Sequence, residues 1–327
     1  MHGRLCIGVS QMKTTDWLRL TGLSIVWGGT FLFQGLAVRT MPPLTVTFCR
    51  VFFAAAVFWL LVLATKQHMP RDRHTWSMFF TMGLINNAIP FSLITWEQTH
   101  VEGGIASIMN ATVACFAVVL AHFLTRDEKL TARKALGVTI GFLGAYVLLR
   151  PELQGGVSMR GFGELAGLLA SLSLALAGIF GKRFKAQPPM VTATGMLTCS
   201  SLIMFPLIMV VDQPWTLVPN AEGAGAIAGL VLLSTVVAYV LYFSVLRSAG
   251  ATNLLLVTLL MPISAHILGA LFLSEPLYVS SALGMLCILV GLSIIDGRFW
   301  RRLRRVQASG SSPLPLPIEG DADERSM

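Results

Sequence analysis

Charged residues are scarce in this sequence of 327 residues. Asp, Glu, Lys and Arg together make up 12% of it, whereas soluble globular domains carry about 25%. Hydrophobic residues make up 54%, and apolar runs of about 20 residues recur along nearly the whole chain, each long enough to cross a bilayer as a helix. Length alone would allow two soluble domains. The composition instead predicts an all-α integral membrane protein with almost no soluble portion.

Motifs that would indicate an enzyme or an ATP-driven pump are also missing. The sequence holds no GxxxxGK[ST] loop, no HExxH motif, no paired aspartates and no Cys/His cluster. Its five cysteines show no metal-ligand spacing, and four of them lie within apolar runs, as buried free cysteines commonly do. We therefore expect no catalytic residue, no cofactor and no metal site. An intramembrane enzyme and a receptor-like membrane protein without transport are the alternatives to a transporter.

The apolar runs predict ten transmembrane spans. They cover roughly residues 18–37, 44–64, 76–95, 104–125, 135–149, 162–179, 191–211, 224–246, 253–273 and 279–295. We divide the chain into a short N-terminal segment, two five-span repeats, and a basic juxtamembrane segment with a Pro- and Ser-rich tail that we expect to be disordered. These four parts are residues 1–16, 17–150, 161–297 and 298–327.

Two segments that follow predicted spans share a frame of residues but differ in charge. TRDEKLTARKALG (Thr125–Gly137) holds four basic residues, and LSEPLYVSSALG (Leu273–Gly284) holds none. At an offset of 147 positions, Glu128 matches Glu275 and the closing Ala-Leu-Gly matches in both. Five spans separate the two copies, and because five is odd, the second copy is inverted in the membrane. The sequence thus predicts ten transmembrane helices as two inverted five-helix repeats, a pattern common among secondary transporters.

Basic residues fall mainly on one side of this topology. With the N-terminus in the cytoplasm, 20 of the 24 Lys and Arg residues lie in cytoplasmic segments. The positive-inside rule therefore predicts a multi-pass protein of the cell (inner) membrane with both termini in the cytoplasm. The net charge of +8 fits anionic lipid better than nucleic acid, because the basic residues lie in short loops and a juxtamembrane segment. We expect the lipid bilayer as a partner and no nucleic acid, while the sequence leaves the oligomeric state open.

Three stretches of the sequence resemble the EamA family of the drug/metabolite transporter (DMT) superfamily. They are WGGTFLFQGLAVRTMPPLTVTFCR (Trp27–Arg50), the Gly- and Ala-rich fourth span that closes in Glu128-x-Leu130, and AGATNLLLVTLLMPISAHILGALFLSEPL (Ala249–Leu277). The resemblance runs from about Trp17 to Ile295. It implies ten helices, two EamA repeats, and export or exchange of small metabolites such as amino acids. The fourth span departs from the family pattern, because Asn110–Val113 stands where a proline-containing element like that at Pro262 is common.

A transporter needs polar groups near the middle of the membrane, where they are costly unless they face protein or water. The candidate substrate-binding residues are polar or amphipathic side chains well inside predicted spans: Trp27, Arg50, Asn87, Asn110, Tyr239 and His266. We predict a central cavity lined by spans one, three, four, six, eight and nine, with Arg50 near its outer mouth. Trp27 either walls this cavity or packs between helices. Tyr239 shares a face of the eighth span with Thr235 and Tyr242, although Tyr242 also fits an interfacial aromatic belt.

The remaining candidates each have a structural alternative. Arg50 is either an anion contact or an arginine that snorkels to the membrane interface. Asn87 and Asn110 either line the cavity or hydrogen-bond neighbouring helices. His266 either contacts substrate or carries a proton, or it forms a hydrogen bond that holds helices together.

Acidic residues are absent from the middle of the predicted spans. Glu164 falls in the first turn of the sixth span, and we expect Glu128 and Glu275, at matching helix ends, to bond neighbouring helix termini or loops. This pattern weakens direct proton coupling by a carboxylate and leaves facilitated diffusion, exchange or a histidine-based route open. The sequence predicts a secondary transporter that exports or exchanges a small-molecule substrate by alternating access, with the substrate's identity undetermined.

Overall fold

The structure is a computed structural model that describes residues 13–296, except residues 126–128, 155–157, 185–186, 218–219, 255 and 277. Glu128 and the tail predicted to be disordered therefore lie outside the described residues.

The described chain folds into ten helices, with short 3-10 turns in two of the connections. They are α1 (Thr14–Val38), α2 (Pro43–Ala64), α3 (Arg73–Glu97), α4 (Gly103–Leu124), α5 (Ala132–Gln154), α6 (Met159–Phe180), α7 (Pro189–Val211), α8 (the consecutive segments Ala221–Ala228, Gly229–Val237 and Ala238–Leu254), α9 (Val257–Leu273) and α10 (Val279–Asp296). Within the described residues, nine are long and apolar enough to cross a membrane. The tenth, α9, has 17 residues, which also suffices to span a bilayer. The predicted all-helical, ten-span fold is confirmed.

Helix irregularities fall at related places in the two halves. The third helix of each half contains a π-helical segment, Leu84–Ala88 in α3 and Gly229–Val237 in α8. In α3 the π segment precedes Pro90, whose missing N–H leaves a backbone carbonyl one turn earlier without its helical partner. The α-helix of α4 is interrupted at Thr112. The fourth span is therefore irregular even without a proline.

Contacts between α5 and α10 show how the two halves are related. A methyl group added at Gly137 would lie 2.7 Å from the carbonyl oxygen of Gly291, and one added at Gly144 would lie 2.7 Å from that of Gly284. At the offset of 147 positions, Gly137 corresponds to Gly284 and Gly144 to Gly291. Each contact is therefore the image of the other, and the two helices run antiparallel about a two-fold axis perpendicular to them. This is the geometry of an inverted repeat.

Other helix contacts follow the same symmetry. The first helix of each half packs on the third and fourth helices of the other half: α1 contacts α8 and α9, and α6 contacts α3 and α4. The chain begins α1 and ends α10 at one face, which we call the terminal face. The opposite face, where α3 ends and α4 begins, is the far face. Large apolar side chains such as Leu60, Phe123, Val210 and Phe272 are exposed on the outer surface of the bundle, as expected of a surface covered by lipid.

Candidate functional site

Trp27 of α1 lies where six helices meet. Its indole packs against a cluster of buried residues from α1, α3, α4, α6 and α9, which consists of Phe31, Ile94, Ala106, Ala170, Met261 and Ala265. From α8, the ring of Tyr242 approaches to 5.9 Å between ring centroids. The structure therefore brings α1, α3, α4, α6, α8 and α9 together around one amphipathic side chain. These are the six helices that the sequence assigns to the central cavity.

A row of aromatic and polar side chains leads away from Trp27 towards α2. Tyr242 and Tyr239 lie one turn apart on α8. Tyr239 packs edge-on against Phe58 of α2, with ring centroids 5.4 Å apart, and it also interacts electrostatically with Arg50. We call Trp27, Tyr242, Tyr239 and Arg50 the central track. It joins three of the six predicted site residues.

Arg50 is a buried cation in this track. The residue is 8% exposed. Its guanidinium carbon lies 4.1 Å from the ring centroid of Phe91 on α3. Among the described residues its Nε has no hydrogen-bond partner, and no carboxylate lies within salt-bridge distance of it. Burial argues against snorkelling to the interface. A buried charge without a counter-charge is energetically costly, so this position suits an anionic ligand.

A buried polar network beside the track was missed at the level of sequence. Gln34 of α1 donates a hydrogen bond from Nε2 to the hydroxyl of Thr95 on α3 (2.6 Å), and the hydroxyl of Thr47 on α2 donates to the same oxygen (3.2 Å). All three residues are buried. The network ties α1, α2 and α3 together. The sequence shows polar residues in these spans but not that they lie at the same height and face one another.

Asn87 lies apart from the central track, in the interface between α3 and α7. Its Nδ2 donates to the hydroxyl of Ser200 (3.0 Å), and its Oδ1 accepts from Asn86 (3.0 Å). The hydroxyl of Ser200 in turn donates to the carbonyl of Gly83 (2.9 Å). Asn87 is fully enclosed, so these contacts support the alternative in which it holds helices together.

Asn110 lies in the first half of α4, and His266 lies on the neighbouring helix α9. Asn110 precedes the interruption of α4 at Thr112, and its buried Oδ1 has no hydrogen-bond partner among the described residues. His266 lies against the start of α4, where a methyl group added at Gly104 would come within 3.0 Å of three imidazole atoms. Its Nδ1 lies 3.3 Å from the carbonyl oxygen of Pro262. Within the described part of the chain, neither residue has a hydrogen bond or ring contact to the central track.

Glu275 caps a helix, as expected from its position at a helix end. Its carboxylate accepts hydrogen bonds from the backbone N–H groups of Gly103 (2.8 Å) and Gly104 (3.1 Å) at the start of α4, where a negative charge is favourable. Beside it, a polar cavity of about 540 Å³ opens at the far face between α1, the α3–α4 connection and the α9–α10 connection. Gln98 and Glu102 also line this cavity. The structural role expected for Glu275 is confirmed.

Several known proteins to which this chain is similar are named as transporters. The chain is 25% identical over 290 residues to the uncharacterized transporter YoaV of Bacillus subtilis, covering 87% of this chain and 98% of that protein. It is 25% identical to the uncharacterized inner membrane transporter YedA of Escherichia coli K12, covering 76% of this chain and 80% of YedA. A third relative, from Escherichia coli K12, is named "Probable amino-acid metabolite efflux pump" and is 25% identical, with 90% and 99% of the two chains covered.

A solved crystal structure shows the same fold, and a family profile shows the family. A chain in that crystal structure matches with a TM-score of 0.60 at 17% identity, covering 87% of this chain and 98% of that one. The profile of the EamA-like transporter family matches residues 18–150 and 161–295. The chain is therefore a multi-pass membrane transporter and not an enzyme, and it belongs to the EamA-like transporter family.

Proposed function

We propose that this transporter exports or exchanges small amphipathic metabolites that carry a carboxylate, such as amino acids, by alternating access, and that Arg50 binds the carboxylate. One observation carries the proposal: Arg50 is a buried cation with no acidic partner among the described residues. A substrate carboxylate would supply the missing charge. The name of the Escherichia coli efflux relative points to the same class of substrate.

The rest of the central track suits the other end of such a molecule. Trp27 and Tyr242 offer ring faces, and Tyr239 adds a phenol group close to Arg50. A guanidinium can hold a carboxylate through two parallel hydrogen bonds, while aromatic rings bury an apolar side chain. The track would therefore select metabolites with an anionic end and an apolar body. Because the inverted repeat provides two equivalent halves, rocking of one half against the other would expose the track to each face in turn.

The location that accompanies this proposal is the inner membrane, with the terminal face towards the cytoplasm. The distribution of Lys and Arg supports that orientation, and YedA is named an inner membrane transporter.

The test is counterflow of labelled amino acids in proteoliposomes that contain the purified protein. The panel pairs each amino acid with the amine that lacks its carboxylate. We expect the amino acids but not the matching amines to be transported. Arg50→Gln should lower the rate at least tenfold, because a hydrogen bond to a charged group contributes about 1.5–3 kcal/mol, and Arg50→Lys should restore part of it.

The matched control is Arg71→Gln, which removes an exposed arginine from the α2–α3 connection. It should transport like the original protein. Equal transport of amines and amino acids, or full activity of folded Arg50→Gln protein, would refute the role of Arg50.

A further inference from the structure

Glu97, the last residue of α3, is a buried acid whose two carboxyl oxygens both lack hydrogen-bond partners among the described residues. It is 0% exposed. Gly167 of α6 leaves room for the carboxyl group, since a methyl group added there would overlap Oε1 and lie 2.6 Å from Oε2. An ionised carboxylate without water or a partner is very costly. The geometry therefore fits a carboxyl group that carries a proton.

A second acid shares this interface. Glu164 lies one turn before Gly167 on the same face of α6, is also buried, and interacts electrostatically with Glu97. Two neighbouring carboxylates in a buried site cannot both ionise cheaply. Arg160, one turn earlier, has its Nε 3.7 Å from Glu164 and forms two hydrogen bonds with Glu102 (3.2 and 2.9 Å). Arg160 therefore stabilises negative charge on Glu164. Of the two carboxyl groups, Glu97 is then the one that carries a proton.

The other repeat shows that the fold does not require this pair of acids. The equivalent contact joins the start of α1 to the end of α8, where the carboxylate of Asp16 accepts a hydrogen bond from the hydroxyl of Ser248 (2.6 Å) and another from the backbone N–H of Lys13 (3.2 Å). At the offset of 147 positions, the counterpart of Glu97 is Ser244. One repeat thus has a satisfied carboxylate at this contact, and the other has an enclosed pair of carboxyl groups.

We propose that Glu97 is a proton-binding site and that the proton it carries is coupled to transport. This inference rests on the proposed transport function and adds a coupling ion to it. It also reverses the expectation from sequence, in which the absence of mid-span acids weakened carboxylate-based coupling. Glu97 and Glu164 lie near helix ends, and only the packing of α3 on α6 shows that both are buried.

The surroundings of Glu97 set the conditions for release of the proton. Charged or titratable groups on the packed elements are Glu164 and Arg160 from α6, and His100 and Glu102 from the α3–α4 connection. Arg39 after α1 and Glu275 from the α9–α10 connection line the far-face cavity together with Gln98. Arg50 of α2 lies about two turns away, at Phe91. The far-face cavity reaches Gln98, the residue after Glu97. If α6 separates from α3, water from this cavity can reach the carboxyl group. The O–H bond then breaks, the proton passes to water, and the electron pair remains on the carboxylate of Glu97.

The first experiment reads the proton directly, without substrate. Infrared difference spectroscopy of the purified protein during a pH titration detects the C=O stretch of a protonated carboxyl group. We expect this band at neutral pH in the original protein and its loss in Glu97→Gln. Asp16→Asn, the matched variant in the other repeat, should retain the band. In Glu164→Gln the band of Glu97 should disappear at lower pH than in the original protein, because the neighbouring negative charge is removed. This variant tests the assignment even if Glu97→Gln does not fold.

The second experiment measures coupling in proteoliposomes with a transported amino acid. A gradient of one pH unit can sustain up to about tenfold accumulation if one proton moves per substrate. We expect Glu97→Gln to lose this accumulation while it retains exchange without a gradient.

The two proposals can fail separately. Absence of the band from the original protein, its persistence in Glu97→Gln, or its disappearance on addition of sodium chloride at constant pH would overturn the proton site, whichever compounds are transported. Equal accumulation by the original protein and Glu97→Gln would overturn the coupling. If the band behaves as expected but the protein transports none of the amino acids, Glu97 is supported as a proton-binding site and the proposed substrate class is refuted.

Discussion

Some buried polar side chains in this protein form hydrogen bonds to neighbouring helices, and others have polar atoms without a partner among the described residues. Asn87, Gln34 and Thr95 are enclosed and bonded to neighbouring helices. Arg50 and Asn110 also lie within spans, but each has a buried polar atom with no hydrogen-bond partner among the described residues. An unpaired polar atom inside a membrane protein is costly and commonly faces a substrate or ion pathway. The presence or absence of a hydrogen-bond partner therefore distinguishes residues that hold helices together from residues available to a ligand.

Replacing Asn87 and Asn110 by leucine should therefore have different effects. Asn87→Leu removes a hydrogen bond to Ser200 and should lower the stability of the folded protein by about 1 kcal/mol, as for polar contacts between membrane helices. Asn110→Leu should reduce transport severalfold while leaving stability nearly unchanged. Thermal unfolding in detergent, together with amino-acid counterflow per folded molecule, measures both quantities. If Asn110→Leu loses folded protein in proportion to its lost transport, then Asn110 holds helices together as well.

At the residue scale, the sequence predicts which side chains are polar inside spans but not what they face. Arg50 could be singled out because a charge inside an apolar run is rare. The partners of Asn87 could not be predicted, since Ser200 lies 113 residues away. Glu97 lies just beyond the predicted third span (76–95), and its burial depends on a glycine, Gly167, in another helix.

At the scale of the helix, glycines set how closely α5 and α10 approach. Gly137 and Gly144 of α5 face Gly291 and Gly284 of α10, and their missing side chains let the two backbones touch. The sequence shows that both spans contain glycines, but not what those glycines face. Which glycine meets which follows from the inverted repeat. The number and order of the helices were predictable from the apolar runs, although α5 extends to Ala132–Gln154 from the predicted 135–149. The π-helical segments of α3 and α8 were not predictable, because they depend on local hydrogen bonding rather than on hydrophobicity.

A valine at Gly291 should disrupt the contact between α5 and α10. An added methyl group would lie 2.5 Å from the carbonyl oxygen of Gly137 and 2.7 Å from the backbone nitrogen of Gly141. Overpacking of this kind costs about 1–3 kcal/mol, so the melting temperature and the yield of monodisperse protein should fall. Gly178→Val is the matched control, because nothing lies within 4 Å of a methyl group there. Equal stability of the two variants would contradict the close approach of α5 and α10.

At the scale of the whole molecule, the two halves share a fold but not a chemistry. The symmetric packing of α1 on α8 and α9, and of α6 on α3 and α4, gives two equivalent frameworks around Trp27. Pro42-Pro43 matches Pro188-Pro189 at an offset of 146, and at that offset the counterpart of Arg50 is Met196. The counterpart of Glu97 at the offset of 147 is Ser244. The proposed carboxylate contact and the proposed proton site therefore both lie in the first repeat. Alternating access needs the symmetric frame, whereas a single substrate and a single proton need only one set of side chains.

Charge should fix which way this symmetric frame sits in the membrane. An inverted repeat has no preferred orientation from packing alone, because rotation about the two-fold axis exchanges the two halves. Lys and Arg break that symmetry, since 20 of the 24 lie in segments assigned to the terminal face, and such segments stay in the cytoplasm during insertion. We therefore expect a green fluorescent protein fused after Met327 to be fluorescent and an alkaline phosphatase fused there to be inactive. A phosphatase inserted after Gln213, in the α7–α8 connection at the far face, should be active and serves as the control. An active phosphatase at the C-terminus would show that the terminal face lies outside.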